Sequence, residues 1–248
     1  KLALPNLDRA QHGAALNAQL QKLKPLAAAA KERQEEIGLE AGVGIQIQFL
    51  SRPDADLAFE KLASEAKHKG IELLSVQEFD GKAVIANVFV PDGQLQHFEQ
   101  LVVDYLNEKT TKAGVARDNK KLLNTIGSIR ASALKGLWTD APDLLPDDQD
   151  EQFWWEVWLR RAKGDAGHYL HDFRRIAAMA ECLVSDAVVE FPERSVVVMY
   201  GSQRHLAQSV LLLNCVAELR RAKDTAAFFV GLTVPEQRQW AADLAARL

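Results

Sequence analysis

The sequence predicts an α+β protein made of two tandem units, each with the order strand–helix–strand–strand–helix–strand. Three observations support this. Residues 44–49 alternate apolar and polar side chains, which indicates a strand with one buried face. Asp80-Gly81 separates two apolar runs and is a strong hairpin signal. The same succession of patterns returns between Phe153 and Ala222. This split βαβ order is that of the ferredoxin-like fold, which serves many functions, so the repeat predicts architecture rather than activity.

The first unit is predicted over residues 43–139. After its first strand, Asp54 is suited to cap a helix that continues to about Lys69, and Gly70 is suited to end that helix. The other predicted elements are strands over 71–79 and 83–90, a helix through Leu95, Phe98, Leu101, Val102 and Tyr105, a short helix, and a fourth strand over 129–134.

The second unit is predicted over residues 152–223. Its predicted elements are a strand over 153–160, a helix over 168–183, strands over 184–191 and 195–200, a helix capped by Ser202 that carries Leu206, Val210, Leu213 and Ala217, and a closing strand over 218–222. Residues 224–248 are predicted to hold a C-terminal helix. It begins at a capping box, Thr233 to Glu236, and carries a stripe of Trp240, Leu244 and Leu248.

Two further segments flank the units. Residues 1–42 mix leucines with Ala, Gln, Lys and Glu and contain Pro25, which predicts a helical or flexible N-terminal arm of one or two marginal helices that need a partner surface. Residues 140–151 are acidic, contain two prolines and separate the units. This linker has two interpretations, an electrostatic docking strip or a solvated connection.

Composition excludes several classes of protein. The chain has 248 residues and a formal net charge of −4, whereas a nucleic-acid-binding protein usually carries a basic face. No apolar run approaches the ~20 residues of a membrane-spanning helix, and the first 50 residues lack the pattern of a signal peptide. Cys182 and Cys215 are predicted to be buried thiols in helices of the second unit. We therefore expect a cytoplasmic protein that binds neither nucleic acid nor membrane.

A search for catalytic patterns returns two weak candidates. His168 and His171 could face one metal ion from a helix, but they lack further ligands at zinc spacing. Ser202 lies near His205 but outside a G-x-S-x-G motif, so helix capping is the better interpretation. We predict that these residues include no catalytic site, no metal site and no cofactor site, and that the chain is not itself an enzyme.

The two predicted sheets differ in the face that their helices leave open. In the first unit Gln46 and Gln48 occupy that face, which predicts a wettable surface. In the second unit the face opposite Trp155 is largely apolar. Either it belongs to an unusually aromatic core with local twist, or another protein covers it. The residues predicted to form this protein interface are Trp154, Glu156, Trp158, Val198 and Tyr200.

A family resemblance rests on five segments: Gly70–Val76, Leu137–Asp140, Phe153–Arg160, Phe191–Arg194 and Ala217–Lys223. Together they resemble the N-terminal region of a bacterial group of subtilisin-like (S8 family) serine peptidases. Members of that group are typically paired with an AAA-type ATPase in two-component systems, including anti-phage defence. The resemblance implies that the catalytic triad lies on a peptidase domain downstream of Leu248, because none of its residues can be placed on this chain.

The resemblance also implies how the second unit acts. Subtilisin propeptides are ferredoxin-like and pack an open sheet face onto the peptidase, where they assist folding and inhibit. The leading hypothesis is therefore a non-catalytic regulatory or propeptide-like region that docks on the peptidase domain and controls substrate access. A C-terminal helix in place of a short tail makes a permanent regulatory domain as plausible as a removable propeptide. The alternative is an adaptor that binds an AAA-type ATPase partner or a sensed ligand through the first unit and the N-terminal arm.

Overall fold

The computed structural model describes residues 6–39, 44–53, 70–79, 83–110, 118–160, 168–223 and 233–247, and the isolated positions 55, 57, 58, 62, 112, 114 and 116. The strands of this part are β1 Gly44–Ser51, β2 Glu72–Phe79, β3 Ala83–Pro91, β4 Ile126–Ala131, β5 Gln152–Arg160, β6 Leu183–Glu190, β7 Arg194–Ser202 and β8 Val216–Arg221. The helices are α1 Arg9–Glu36, α2 Leu95–Leu106, α3 Lys120–Leu123, α4 Leu134–Leu137, α5 His168–Met179, α6 Gln203–Gln208, α7 Val210–Cys215 and α8 Val234–Arg247, with a 3-10 turn at Pro142–Leu144.

The strands form two four-stranded antiparallel sheets with the same internal order. The first is β2-β3-β1-β4 and the second is β6-β7-β5-β8. In each sheet the first strand of the unit is central and pairs with the third and fourth. This order confirms the predicted tandem ferredoxin-like architecture.

The first hydrophobic core lies between one face of the first sheet and the helices α1 and α2. Alternation along β1 directs Ile45, Ile47 and Phe49 into this core, where Phe49 packs against Phe98 of α2. Helix α2 is amphipathic, and its buried side chains are those that the sequence predicted: Leu95, Phe98, Leu101, Val102 and Tyr105.

The N-terminal arm is a single helix that continues through Pro25 and belongs to the first unit. Asp8 caps it by accepting a hydrogen bond from the backbone N–H of Gln11. A proline inside a helix costs about 3 kcal/mol because it removes a hydrogen bond and crowds the preceding turn. Burial of Leu16 and Leu20 in the first core offsets this cost. The first hydrophobic core is therefore the partner surface that the N-terminal arm was predicted to need.

The second core lies between the second sheet and the helices α5, α6 and α7. Trp155 at its centre is fully buried, donates a hydrogen bond from Nε1 to the carbonyl oxygen of Gly201 at 2.9 Å, and contacts the edge of Trp138. The other large side chains of this core include Val157, Leu159, Phe173, Ile176, Met199, Leu206, Leu212 and Leu219.

Several predicted boundaries were wrong. Strand β4 spans 126–131 rather than 129–134, because the chain turns into α4 at Leu134. Helix α5 ends at Met179, since Glu181 adopts a left-handed conformation with φ of 57° and the next strand begins at Leu183. The helix predicted after Ser202 is two helices, because Ser209 caps α7 separately, and Ala217 lies in β8.

Some predictions fall outside the described residues. They are most of the helix expected over 54–69, the turn at Asp80-Gly81, and the side chains of Trp240, Leu244 and Leu248. The neighbours of the predicted turn do pair, since β2 and β3 are antiparallel with Phe79 opposite Ala83.

The acidic segment 140–151 packs on the second unit through two leucines, whereas its residues 147–151 are exposed to water. Its Leu144 and Leu145 pack against the second core. Asp150 accepts a hydrogen bond from Arg204 at 2.8 Å, and this bond holds the pKa of the Asp150 carboxyl below its usual value. These contacts bind the segment to its own chain.

Both cysteines are buried free thiols, as predicted. Cys215 is the last residue of α7, whereas Cys182 lies between α5 and β6 rather than in a helix. Across the described ranges, no helix combines the length and apolar character needed to cross a bilayer.

Candidate functional site

The polar face of the first sheet is buried, which contradicts the prediction of a wettable surface. Gln46, Gln48 and Asn87 are each at most 1% exposed. Apart from Gln46 Oε1, their amide groups have hydrogen-bond partners from across the chain. Gln48 Nε2 donates to Asn87 Oδ1 at 2.9 Å, and Gln46 Nε2 donates to the carbonyl oxygen of Val216 in the second unit. A polar face is buried here because hydrogen bonds replace those that it would make with water.

Two elements cover this face. The first is α4, where the carbonyl oxygen of Gly136 accepts hydrogen bonds from Gln77 and Asn87. The second is the α7–β8 junction, where Asn214 Oδ1 accepts from the backbone N–H of Gln46 and Asn214 Nδ2 donates to the carbonyl oxygen of Gly44, both at 3.1 Å. The two units therefore form one continuous structure.

Arg160 forms the centre of the contact between the units. Its Nη2 lies 2.8 Å from Glu72 Oε1, and its guanidinium lies over the ring of Phe89. Nη1 donates to the carbonyl oxygen of Asn214, and Nη2 to the hydroxyl of Tyr169. These interactions hold one strand of the second unit against two strands of the first.

The helix-free face of the second sheet is open. We use "open face" for the surface of Trp154, Glu156, Trp158, Leu183, Val189, Val196, Val198 and Tyr200, together with Phe191. Strand register places the first eight on one side, because Tyr200 pairs with both Trp154 and Leu183 and Val196 pairs with both Trp158 and Val189. All five residues predicted for the interface lie on the open face.

The open face exposes large apolar side chains. The exposed fractions are 47% for Trp154, 67% for Leu183, 57% for Val189 and 43% for Phe191. Trp154 contacts Tyr200 with ring centroids 5.2 Å apart, and Trp158 stacks on Phe191 at 5.4 Å. These contacts form two aromatic pairs on the open face.

Charged groups border the open face on the β8 side. Glu156 accepts a hydrogen bond from Trp158 Nε1 at 2.7 Å, and Arg220 lies over the Trp158 ring at 4.7 Å. Arg220 also forms an ion pair with Glu218 at 2.8 Å. The charges thus lie at one side of the apolar surface, along β5 and β8.

Sequence reasoning did not assign Leu183, Val189 and Phe191 to the open face. The register of β6 against β7 shifts between Val184 and Val188, so simple alternation along β6 does not identify its outward side chains. Leu183 was also assigned to the preceding helix. The apolar residues of β6 are the sequence feature that could have indicated its contribution to the open face.

Comparison with known proteins concerns the first unit. A sequence model of the Y4kK N-terminal domain matches residues 10–133, which is half of the chain. The chain belongs to the Y4kK N-terminal domain family. The matched range runs from the first turn of α1 to the residues just after β4, and these elements share the first hydrophobic core. The Y4kK N-terminal domain here therefore includes helix α1.

Other comparisons add no functional information. Among curated proteins, none matches the chain significantly. A solved structure of an unknown protein from Galdieria sulphuraria is similar at 12% sequence identity over 68% of this chain and 86% of that chain, with a TM-score of 0.20.

The candidates for catalysis and metal binding, Ser202, His168 and His171, lie in the second unit and outside the Y4kK N-terminal domain. Ser202 Oγ accepts a hydrogen bond from the backbone N–H of His205 at 3.3 Å, so it caps α6 as predicted. His168 and His171 lie in the first turn of α5. Within the described ranges, no three His, Cys, Asp or Glu side chains are grouped as metal ligands would be.

Proposed function

We propose that this chain is a non-catalytic docking region that binds a folded protein through the open face of its second unit. The exposure of Trp154, Leu183, Val189 and Phe191 on one continuous sheet surface carries this proposal. Exposed apolar surface of this kind is uncommon on a monomer and indicates an interaction site.

The chemistry of the open face suits a protein partner. Tryptophan and tyrosine provide large contact areas with few rotatable bonds, so that little conformational entropy is lost on binding. Trp154 and Tyr200 lie in paired strands whose opposite sides form the second core. The surface is therefore already ordered before a partner arrives, which lowers the cost of association.

The partner that we propose is the peptidase domain of a subtilisin-like serine peptidase. The sequence resemblance and the ferredoxin-like form of the second unit support this choice. Docking would assist folding of the peptidase domain, inhibit it or control substrate access, since a ligand that binds only the folded state stabilises that state. We place this activity in the cytoplasm.

A binding experiment tests the proposal. The chain is titrated against the subtilisin-like peptidase domain encoded with it, and the dissociation constant is measured for wild type, Trp154→Ala and Trp158→Ala. Each substitution should weaken binding about thirtyfold, which corresponds to loss of an aromatic anchor worth ~2 kcal/mol. The matched control is Val103→Ala, an exposed apolar residue on helix α2 of the first unit, which should bind like wild type.

Three results would contradict the proposal. The locus could encode no such peptidase, Trp154→Ala and Trp158→Ala could bind like wild type, or Val103→Ala could weaken binding equally. Thermal midpoints of all variants should be measured beside the affinities. A variant with the wild-type midpoint and reduced affinity reports on docking alone.

The absence of catalysis by this chain is tested separately. The backbone N–H of His205 donates to Ser202 Oγ, and among the residues that the structure describes no side-chain base is hydrogen-bonded to this hydroxyl group. Purified protein should not react with a fluorophosphonate probe and should not cleave casein. Stoichiometric labelling of Ser202 would contradict this part of the proposal.

The alternative function is an adaptor for an AAA-type ATPase. The outer side of α1, which is 28 residues long and packs on the first unit along one side only, is the surface that favours it. Binding of the ATPase that is unaffected by Trp154→Ala but is abolished by substitutions on the outer side of α1 would support the adaptor function.

A further inference from the structure

A cleft lies between the two units, on the side away from the open face. Its volume is about 640 Å³, within the range of sites that hold small molecules. Helix α1 and the ends of β1 and β4 form one wall, and helices α5, α6 and α7 form the other. Neither unit alone would form this cleft.

Apolar side chains from both units surround the cleft. Leu26 of α1, Met179 of α5 and Val210 of α7 all line it, and each leaves roughly half of its surface exposed to water. Ile45 and Ile176 contribute buried apolar surface to the same lining. The cleft therefore offers an apolar molecule contacts on two sides.

Two residues that line the cleft each carry a buried polar atom that lacks a hydrogen-bond partner within the described part of the chain. Gln46 Oε1 belongs to a side chain that is 1% exposed, and its amide orientation is fixed because Nε2 donates to Val216. The second atom is His205 Nδ1. A buried polar atom without a partner destabilises the folded protein, so a ligand that supplies a partner would be bound more tightly.

The charged side chains of the cleft are mainly basic. Arg33, Arg204 and His205 line it, against one carboxylate, that of Glu181. The guanidinium group of Arg33 forms an ion pair with Glu36 at 2.9 Å. The guanidinium group of Arg204 donates a hydrogen bond to Asp150. Both guanidinium groups have further N–H donors available in their planar forks, so the charge of the lining favours an anion.

We propose that this cleft binds a small apolar carboxylate that also carries an amide or hydroxyl group. The apolar body would lie between Leu26, Met179 and Val210. The carboxylate would accept hydrogen bonds from Arg33 and His205, and the amide or hydroxyl group would donate to Gln46 Oε1. Because its contacts come from both units, such a ligand would stabilise their association.

The probe for this proposal is N-octanoylglycine, which combines an eight-carbon chain, an amide and a carboxylate. Its binding to the full chain is measured by isothermal titration calorimetry. Saturable binding below about 1 mM is expected. The methyl ester of the same compound lacks the charge and should bind at least tenfold more weakly.

Three variants locate the site. Met179→Glu introduces a repelling charge and should abolish binding of the probe. Arg33→Gln removes the positive charge of a side chain that is 55% exposed. The fold should therefore be preserved, while the affinity for the probe falls about tenfold. The matched control is Leu183→Glu, which places the same charge on the open face and should bind like wild type.

Several outcomes would overturn the proposal: no saturable binding below about 1 mM, equal affinities for acid and ester, or loss of binding in Leu183→Glu with binding retained in Met179→Glu. The last result would place the probe on the open face instead. Circular dichroism shows whether Met179→Glu is folded. If it is not, the affinity of Arg33→Gln for the probe decides whether the probe binds in the cleft.

Discussion

Arg160 of the second unit places its guanidinium carbon 3.1 Å from the centre of the Phe89 ring in the first unit. The Arg160 side chain is 2% exposed, and its guanidinium group forms an ion pair with Glu72. This buried arginine joins the two units by a cation–π contact and an ion pair, beside the hydrogen bonds that Asn214 makes with Gln46 and Gly44.

The first prediction concerns Glu72. Glu72→Ala leaves the Arg160 charge buried without its carboxylate, so we expect a loss of about 3 kcal/mol of unfolding free energy, measured by urea denaturation. The double variant Glu72→Leu with Arg160→Met removes both charges and should lose less than the sum of the corresponding single variants. Additive losses would show that the two side chains do not interact.

The second prediction concerns Gly136 in α4. Alanine normally stabilises a helix relative to glycine by up to about 1 kcal/mol. At this position an added Cβ would overlap the buried side chain of Gln48, so Gly136→Ala should destabilise by about 1–3 kcal/mol. Lys135→Ala, on the exposed side of the same helix, is the control and should change stability by less than about 0.5 kcal/mol. A stabilised Gly136→Ala protein would contradict the close packing of α4 on the first sheet.

The third prediction contrasts neighbouring tryptophans in β5. Trp155→Ala empties a fully buried position and should cost about 3–5 kcal/mol of unfolding free energy. Trp154→Ala removes a half-exposed ring from the opposite side of the strand and should cost less than about 1 kcal/mol. Thermal and urea denaturation of both proteins measure the difference. Similar losses would mean that the open face contributes to the core.

The fourth prediction concerns the two thiols. Burial raises the pKa of Cys182 to about 11 and that of Cys215 to about 12. At pH 8 both should react with iodoacetamide far more slowly in the folded protein than in urea, since the thiolate is the reactive form.

The same shifts predict how stability depends on pH. Well below the ordinary thiol pKa of 9.0 both thiols are almost fully protonated in the folded and unfolded states, and they contribute little pH dependence. Above pH 9 the unfolded chain ionises first, so stability should fall as pH rises toward 11. Substitution of Cys215 by Ala should reduce this fall, and an unchanged profile would contradict the assigned shifts.

Local patterns in the sequence were sufficient for most of the fold. Alternation in β1 and β5, helical spacing in α2 and the cap at Ser202 each depend on residues a few positions apart, and each was placed correctly. The boundaries that were wrong depend on the backbone conformation or capping role of single residues. Helix α5 ends early because Glu181 adopts a left-handed conformation as the chain turns toward β6, and residue types give little indication of this.

The sequence by itself determined the two-unit architecture and the opposite orientations of Trp154 and Trp155, because alternation along a strand is a local property of the backbone. The tertiary structure decided which sheet face water reaches. Gln46 and Gln48 were expected at a wettable surface, yet they are buried, because Ala133 and Asn214 supply hydrogen-bond acceptors 85 and 168 residues away along the chain. Such partners leave no periodic trace in the sequence, since the free energy of burying a polar side chain depends on what covers it.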